Sequence, residues 1–362
     1  YVVGQYYRFL NRHWKFLKTV VRKLFEFMHE LHPGVQDFAC ETLMRISIKC
    51  GIQFVIIQED EMEPYINVLA RTMIENTKDL KMHQKLMFYE AIGNIISFDQ
   101  NQNQQIYLIE QTMIDCLNQW SQIYQNSQMN VEFLLNADVI KVLDQILKLN
   151  ERISASVKTN YFYYAKLFLK SVFDYYSYYT DTICALYKEG NKNYQFIKMI
   201  KIIKKSILKF TMSLVNYTFN ADLLIVELLP YLGVLIEKYK QSDIDNKDHE
   251  ILKIFSDYMN QLKNMPYDKV ELIWKFLCLD TLEMIQIDYN SFPEHRISFF
   301  ELVKSLIINE FDAVFKIQDQ NFNKNVINVI VWAFRHSQYN IAELGLDTLK
   351  FLLDGVNQAR LN

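Results

Sequence analysis

The amino-acid sequence predicts an all-α fold, an α-α superhelix built from antiparallel helix pairs. The 362 residues include eight Gly and five Pro. Sheets and long loops need turn residues of these types, so their shortage favours helices joined by short connections. Apolar residues make up 50% of the chain and recur at the spacing of an amphipathic helix. Helix pairs also recur about every 45 residues, a period typical of repeat architectures.

The predicted helices follow one another in pairs. The first pair is 8–30 and 35–50, separated by the breaker His32-Pro33-Gly34. The others span 64–75, 81–97, 102–125, 130–150, 155–188, 193–217, 220–240, 247–263, 267–286, 292–308, 311–319, 322–337 and 339–356. Two second helices share an aliphatic residue, a small residue four positions later and then a leucine: Val35, Ala39 and Leu43, and Ile341, Gly345 and Leu349. The small residue allows paired helices to approach closely.

One repeat array is the predicted domain organisation. A single helix pair cannot bury both of its faces, so neighbouring pairs must stack, as in HEAT and armadillo repeats. Connections stay short and no domain boundary is visible. We therefore expect a single HEAT-repeat solenoid over 1–362, with about seven to eight helix pairs. A compact helical bundle is the alternative. Because both ends stop within helical sequence, we expect a fragment of a longer protein.

Composition and motifs argue against several classes of function. The net charge of −3 gives no case for direct nucleic-acid binding. The longest apolar run, 223–236, is interrupted by Glu227 and Pro230 and is too short for membrane insertion. No Gly-rich phosphate loop, nucleophile elbow or CxxC pair is present, so we expect neither an enzyme nor a cofactor. Five widely spaced cysteines indicate a reducing compartment, and we predict no metal site.

Two charged segments each leave two interpretations open. An acidic turn precedes Pro64, where we expect helix capping rather than contact with a basic partner; its residues are Glu59, Asp60, Glu61 and Glu63. Four lysines line one face of the predicted 193–217 helix: Lys198, Lys201, Lys205 and Lys209. We expect a solvated face there, and a surface for an acidic partner is the alternative.

The first predicted helix, 8–30, is apolar in two directions. One stripe consists of Leu10, Trp14, Leu17, Val21, Leu24 and Met28. A second stripe, about 100° around the helix, consists of Phe9, Phe16, Val20 and Phe27. An ordinary surface helix needs one stripe. Two stripes indicate either packing against a neighbouring repeat as well as the partner helix, or a groove for a ligand.

Several stretches of the sequence resemble the exportin-1 family of the importin-β (karyopherin-β) superfamily. Those near the start are Tyr1–Gln5, Phe9–Leu10, His13–Val21, Lys23–Glu30, Gly34–Asp37 and Ala39–Cys40. Two more are Phe292–Phe300 and Val331–His336. The resemblance implies a middle-to-late part of a ring-like stack of HEAT repeats. It also implies a nuclear export receptor that binds leucine-rich export signals of cargo proteins cooperatively with GTP-bound Ran.

The resemblance further implies a groove for the export signal, with the first helix as one wall. Phe16, Val20 and Phe27 match its apolar floor. Thr19 and Glu26 match its edge, Lys15 and Lys23 match basic groups at its rim, and Phe38 matches a position that closes one end. Lys23 corresponds to a lysine that filters peptides by their backbone path. Nucleoporins would be further partners, and the receptor would shuttle between nucleus and cytoplasm through nuclear pores.

The sequence differs from the family pattern in three respects. The opposing groove helix, with its reactive cysteine, would lie before Tyr1. Tyr7 stands where the family usually has Pro, and Phe38 where many members have Met. A HEAT-repeat scaffold or an import-type karyopherin, neither of which has an export-signal groove, is the alternative function.

Overall fold

The chain is all-α, as predicted. The computed structural model describes residues 2–190, 194–262, 265–287, 291–316 and 320–361, and no strand occurs within them. The α-helices are α1 (Val2–Gln5), α2 (Tyr7–Leu10), α3 (Trp14–Met28), α4 (Pro33–Cys50), α5 (Ile52–Val55), α6 (Tyr65–Arg71), α7 (Met73–Thr77), α8 (Met82–Ile96), α9 (Gln102–Met129), α10 (Ala137–Val157), α11 (Tyr161–Ala165), α12 (Leu169–Lys188), α13 (Tyr194–Tyr217), α14 (Leu229–Gln241), α15 (His249–Gln261), α16 (Tyr267–Ile273), α17 (Leu279–Ile287), α18 (Pro293–Asn309), α19 (Phe311–Lys316), α20 (Gln320–Phe334) and α21 (Tyr339–Leu361).

Two layers of helices form the first compact unit, residues 1–172. The second helices of successive pairs, α4, α8 and α10, pack side by side. The first helices cover them, with α3 on α4, α6 on α8 and α9 on α10. Gly93 lies at the closest approach of α8 and α10, since a Cβ there would be 2.8 Å from the Ser156 Cβ. This arrangement is the stacked helix pair expected of HEAT repeats.

The second compact unit, residues 173–362, repeats the same scheme. Here α13, α15, α18 and α21 form the layer of second helices, while α14, α17 and α20 pack on α15, α18 and α21. The Ser256 and Ser305 hydroxyls form a hydrogen bond of 2.8 Å between α15 and α18. In the pair α20–α21, a Cβ on Gly345 would be 2.3 Å from the Phe334 nitrogen. The small residue predicted from the repeated pattern therefore does mark a close helix contact.

Several predicted helices are interrupted. The first ends at Leu10 and resumes at Trp14, because His13 takes φ −130° and ψ 78° and its Nδ1 donates to the Phe9 carbonyl oxygen (2.8 Å). The predicted 64–75 helix breaks at Thr72, and the predicted 155–188 helix consists of α11, α12 and 3₁₀ turns. π-helical turns at Leu223–Leu228 and Trp274–Cys278 interrupt the predicted 220–240 and 267–286 helices.

Some predicted helix ends fall on residues 193, 263 and 317–319, outside the described part of the chain. The single solenoid of seven to eight pairs stays a prediction.

The acidic turn before Pro64 pairs with basic side chains of this chain. α6 begins at Tyr65 with no side-chain cap. Asp60 binds Lys15 and Glu61 binds Lys18, while Glu63 binds Arg71. The capping interpretation is therefore wrong. In the lysine face of α13, Lys205 pairs with Glu250 (2.9 Å) and Lys201 Nζ donates to the Asp245 carbonyl (3.3 Å), so this face is only partly solvated.

All five cysteines are unpaired. Burial raises the pKa of Cys40 and of Cys116 to about 12 and that of Cys50 to about 11. Burial also raises the pKa of Cys278, while Cys184 on α12 is half-buried. Across the described ranges, no helix is long and apolar enough to cross a bilayer, and no cluster of His, Cys, Asp and Glu could hold a metal ion.

Candidate functional site: an apolar groove along α3

The two apolar stripes of the first helix have different environments. Leu17, Val21 and Met28 of the first stripe are fully buried against the rest of unit 1. Phe16 and Phe27 of the second stripe are 49% and 44% exposed. Val20, between them, is half-buried. The second stripe therefore presents aromatic surface that the described part of the chain does not cover.

A cavity of about 450 Å³ lies beside the second stripe, between α1, α3 and α4. Five predicted site residues line it: Thr19, Val20, Lys23, Phe27 and Phe38. Its other lining residues were not predicted: Val3, Leu24, Val35, Ala39 and Thr42. We call this cavity and its α3 edge the α3 groove. Its walls are mostly aliphatic and aromatic, and its polar lining residues are Thr19 and Lys23 of α3 and Thr42 of α4. Such a lining suits a peptide with apolar anchors.

The residues that sequence reasoning missed come mainly from α4. Val35, Ala39 and Thr42 follow one another at i, i+4 and i+7, and Phe38 lies on the same face. This spacing is readable in the sequence as a second apolar edge of α4. A Cβ on Gly4 would lie 3.3 Å from the Thr42 Cγ2, so a glycine permits α1 to lie close to α4.

Three predicted residues lie outside the cavity. Phe16 packs edge-to-face against Phe9, with ring centroids 5.5 Å apart. Lys15 Nζ lies 2.9 Å from Asp60 Oδ2, and this partner raises the pKa of Lys15. Glu26 Oε2 lies 2.5 Å from Lys23 Nζ. Lys15 and Phe16 therefore extend the α3 edge before the cavity, and Glu26 lies on that edge between the lining residues Lys23 and Phe27.

The polar groups along the edge are already engaged. The Thr19 hydroxyl donates to the Lys15 carbonyl oxygen (2.8 Å), within the helix. The Lys23 ammonium is paired with Glu26 but is well exposed, as is its partner. Exposed pairs of this kind contribute about 0–1 kcal/mol and exchange easily. The Lys23 ammonium can therefore turn to a peptide carbonyl while its stem covers apolar surface.

A larger cavity, of about 740 Å³, lies in unit 2. Its lining is more polar and includes Asn309, Glu310, Asp312 and Asp354. The Glu310 carboxylate accepts hydrogen bonds from the Met265 N–H (2.8 and 2.9 Å), and burial raises its pKa. This carboxylate is therefore hydrogen-bonded to the backbone of the same chain. The smaller α3 groove is the better match for apolar side chains.

Comparison with known proteins gives a consistent set of similarities. The family model described as CRM1 C terminal matches residues 164–362. Exportin-1 of Schizosaccharomyces pombe is 37% identical over 365 aligned positions, covering 98% of this chain and 33% of that protein. Exportin-1 of Drosophila melanogaster is 36% identical and EXPORTIN 1A of Arabidopsis thaliana 34% identical, each covering 99% of this chain and 34% of the relative. The chain thus spans about a third of the length of these curated relatives.

Proposed function

The chain belongs to the exportin-1 (CRM1) family of nuclear export receptors, and from this premise we propose that its α3 groove binds leucine-rich nuclear export signals of cargo proteins. The observation that carries the proposal is the exposed aromatic stripe of α3 beside an apolar cavity. Phe16 and Phe27 are nearly half exposed, while Leu17, Val21 and Met28 of the first stripe are fully buried.

The expected free energy of peptide binding fits a receptor that binds its cargo reversibly. An amphipathic peptide with four or five apolar anchors gains roughly 1.5–3 kcal/mol for each side chain that it buries. Association and ordering of the peptide cost a large part of this sum. The balance is compatible with micromolar binding. Lys23 would contact the peptide backbone and act as the filter described for the family.

Cooperation with GTP-bound Ran is the second part of the proposal. In a receptor of this family, cargo and Ran would each favour the conformer that the other prefers, so each raises the affinity for the other. The receptor would shuttle between nucleus and cytoplasm through nuclear pores by contact with nucleoporins. Members of the family are transport receptors rather than enzymes.

The alternative is a HEAT-repeat scaffold or an import-type karyopherin without an export-signal groove. Under that alternative, Phe16, Val20 and Phe27 are stacking residues. Substitution of Phe27 would then change folding stability and leave peptide affinity unaltered.

The test is fluorescence anisotropy of a labelled leucine-rich export peptide with the full-length receptor of which we propose this chain to be a part. Titrations run with and without GTP-loaded Ran, for the unmodified receptor and for Phe27→Asp. We expect Ran to strengthen binding and Phe27→Asp to abolish it, because a carboxylate cannot replace an apolar floor. Absence of binding in every condition would favour the scaffold.

A further inference from the structure

The connection between α5 and α6 folds onto the first half of α3. It carries Glu59, Asp60, Glu61 and Glu63. Glu61 binds the Lys18 ammonium, and the Trp14 Nε1–H donates to the same carboxylate (3.4 Å). The Lys18 and Glu61 side chains are only 20% and 24% exposed. These contacts hold the connection against α3.

Asp60 is an exposed acid of the connection, with 72% of its side chain accessible. Its φ of +68° is in the left-handed region, which Asp and Asn tolerate better than most residues with a Cβ. In this conformation the Asp60 Oδ2 lies 2.9 Å from the Lys15 Nζ. The Lys15 ammonium lowers the pKa of Asp60, and both Asp60 and Glu59 raise the pKa of Lys15. At neutral pH both groups are therefore charged.

Lys15 is the basic residue that extends the α3 groove toward the start of the helix. It lies one turn before Thr19, about 6 Å along the helix axis, and Thr19 lines the cavity. Lys23, further along, is paired with Glu26. The two predicted rim lysines are therefore both matched by carboxylates of the chain itself, and the charge of the rim is close to neutral.

We propose that Asp60 makes this end of the groove discriminate against acidic side chains that flank an export signal. This inference rests on the proposed function of the groove. A peptide carboxylate would have to displace Asp60 from Lys15, and it would meet the like charges of Asp60 and Glu59. A peptide with uncharged flanking residues has no such penalty in binding affinity. Asp60 is thus a specificity residue that acts through Lys15 and need not touch the apolar anchors.

The test compares two export peptides with identical anchors in the full-length receptor. One peptide has glutamines on both flanks and the other has glutamates. Asp60→Asn removes the charge and keeps a residue that tolerates positive φ. We expect it to raise the affinity for the glutamate peptide about threefold, the scale of one exposed ion pair, and to leave the glutamine peptide unchanged. The gain should fall as salt is added.

Two further variants sharpen the result. Glu63→Gln removes a carboxylate from the same connection, but its partner is Arg71, so it is the matched control and should give no gain. Lys15→Gln combined with Asp60→Asn should abolish the gain, because the peptide carboxylate then finds no freed ammonium.

Three outcomes would overturn the inference: no gain in Asp60→Asn, an equal gain for both peptides, or the same gain in Glu63→Gln. An equal gain would indicate steric hindrance, and a gain in the control would indicate net charge alone. Failure of the unmodified receptor to bind either peptide is a different result. It would overturn the proposed function and this inference with it.

Discussion

Truncation of Phe27 to alanine is the most quantitative test of the α3 groove. A phenylalanine side chain presents about 200 Å² when fully accessible, and Phe27 is 44% exposed. A ligand can therefore cover about 90 Å² of the ring, which is worth about 2 kcal/mol at roughly 25 cal/mol per Å². Phe27→Ala should weaken export-peptide binding about 30-fold.

The same exposure sets the expected cost to folding. A fully buried phenylalanine loses about 3–5 kcal/mol on truncation, and a ring that is nearly half exposed loses less. We expect Phe27→Ala to lower the melting temperature only modestly. The peptide affinity, measured by fluorescence anisotropy at a temperature well below the transition, then reports on binding rather than on unfolding.

Phe351 on α21 provides the matched control, because it is also 44% exposed and does not line the α3 groove. Phe351→Ala should leave the peptide affinity unchanged. If both truncations leave the affinity unchanged, or both reduce it by the same factor, the ring of Phe27 is not a contact surface for the peptide. The assignment of the groove would then be wrong.

The other predictions concern the rim, one helix contact and pH. Lys23→Ala should allow binding of peptides that the unmodified receptor rejects, measured as Kd ratios across a peptide panel, and an unaltered ranking would contradict the filter role. Gly345→Ala should lower the free energy of unfolding by about 1–3 kcal/mol in urea, because its Cβ would overlap the α20 backbone. At Gly233 an added Cβ would meet open space, so Gly233→Ala should raise the free energy of unfolding by about 0.5–1 kcal/mol. If both variants changed the free energy of unfolding equally, the close contact at Gly345 would be refuted. Burial and His249 lower the pKa of His295. As pH falls below about 6.5 the unfolded chain therefore binds the proton first and stability falls. His295→Gln should flatten that part of a urea-unfolding pH profile, and an unchanged profile would exclude His295 as the cause.

The fold was predictable because apolar spacing and scarce turn residues suffice to place long helices. The interruptions were not. Asn11, Arg12 and His13 separate two apolar segments whose spacing stays helical across the gap, so periodicity could not reveal the break. The π-helical turn at Leu223–Leu228 lies in a nearly continuous apolar run. There, one extra residue per turn leaves no trace in the pattern.

Prediction of the candidate site was limited in another way. The periodicity of 8–30 identified the second stripe, but it could not decide between a neighbouring helix and a ligand. The resemblance to the exportin-1 family supplied that choice, together with the roles of Lys23 and Phe38. The pairing of Lys15 with Asp60 depends on a left-handed residue in a connection, and neither periodicity nor resemblance specifies such a conformation.

The burial of the thiols has a practical consequence for labelling. A maleimide reacts with the thiolate, and burial both shields Cys40, Cys50, Cys116 and Cys278 and disfavours their ionised form. Cys184 is the most accessible of the five thiols. A dye or spin label therefore has one preferred attachment point in the native chain, on α12. The α3 groove contains no cysteine among its lining residues, so a reporter can be attached without altering the surface whose occupancy it is meant to detect.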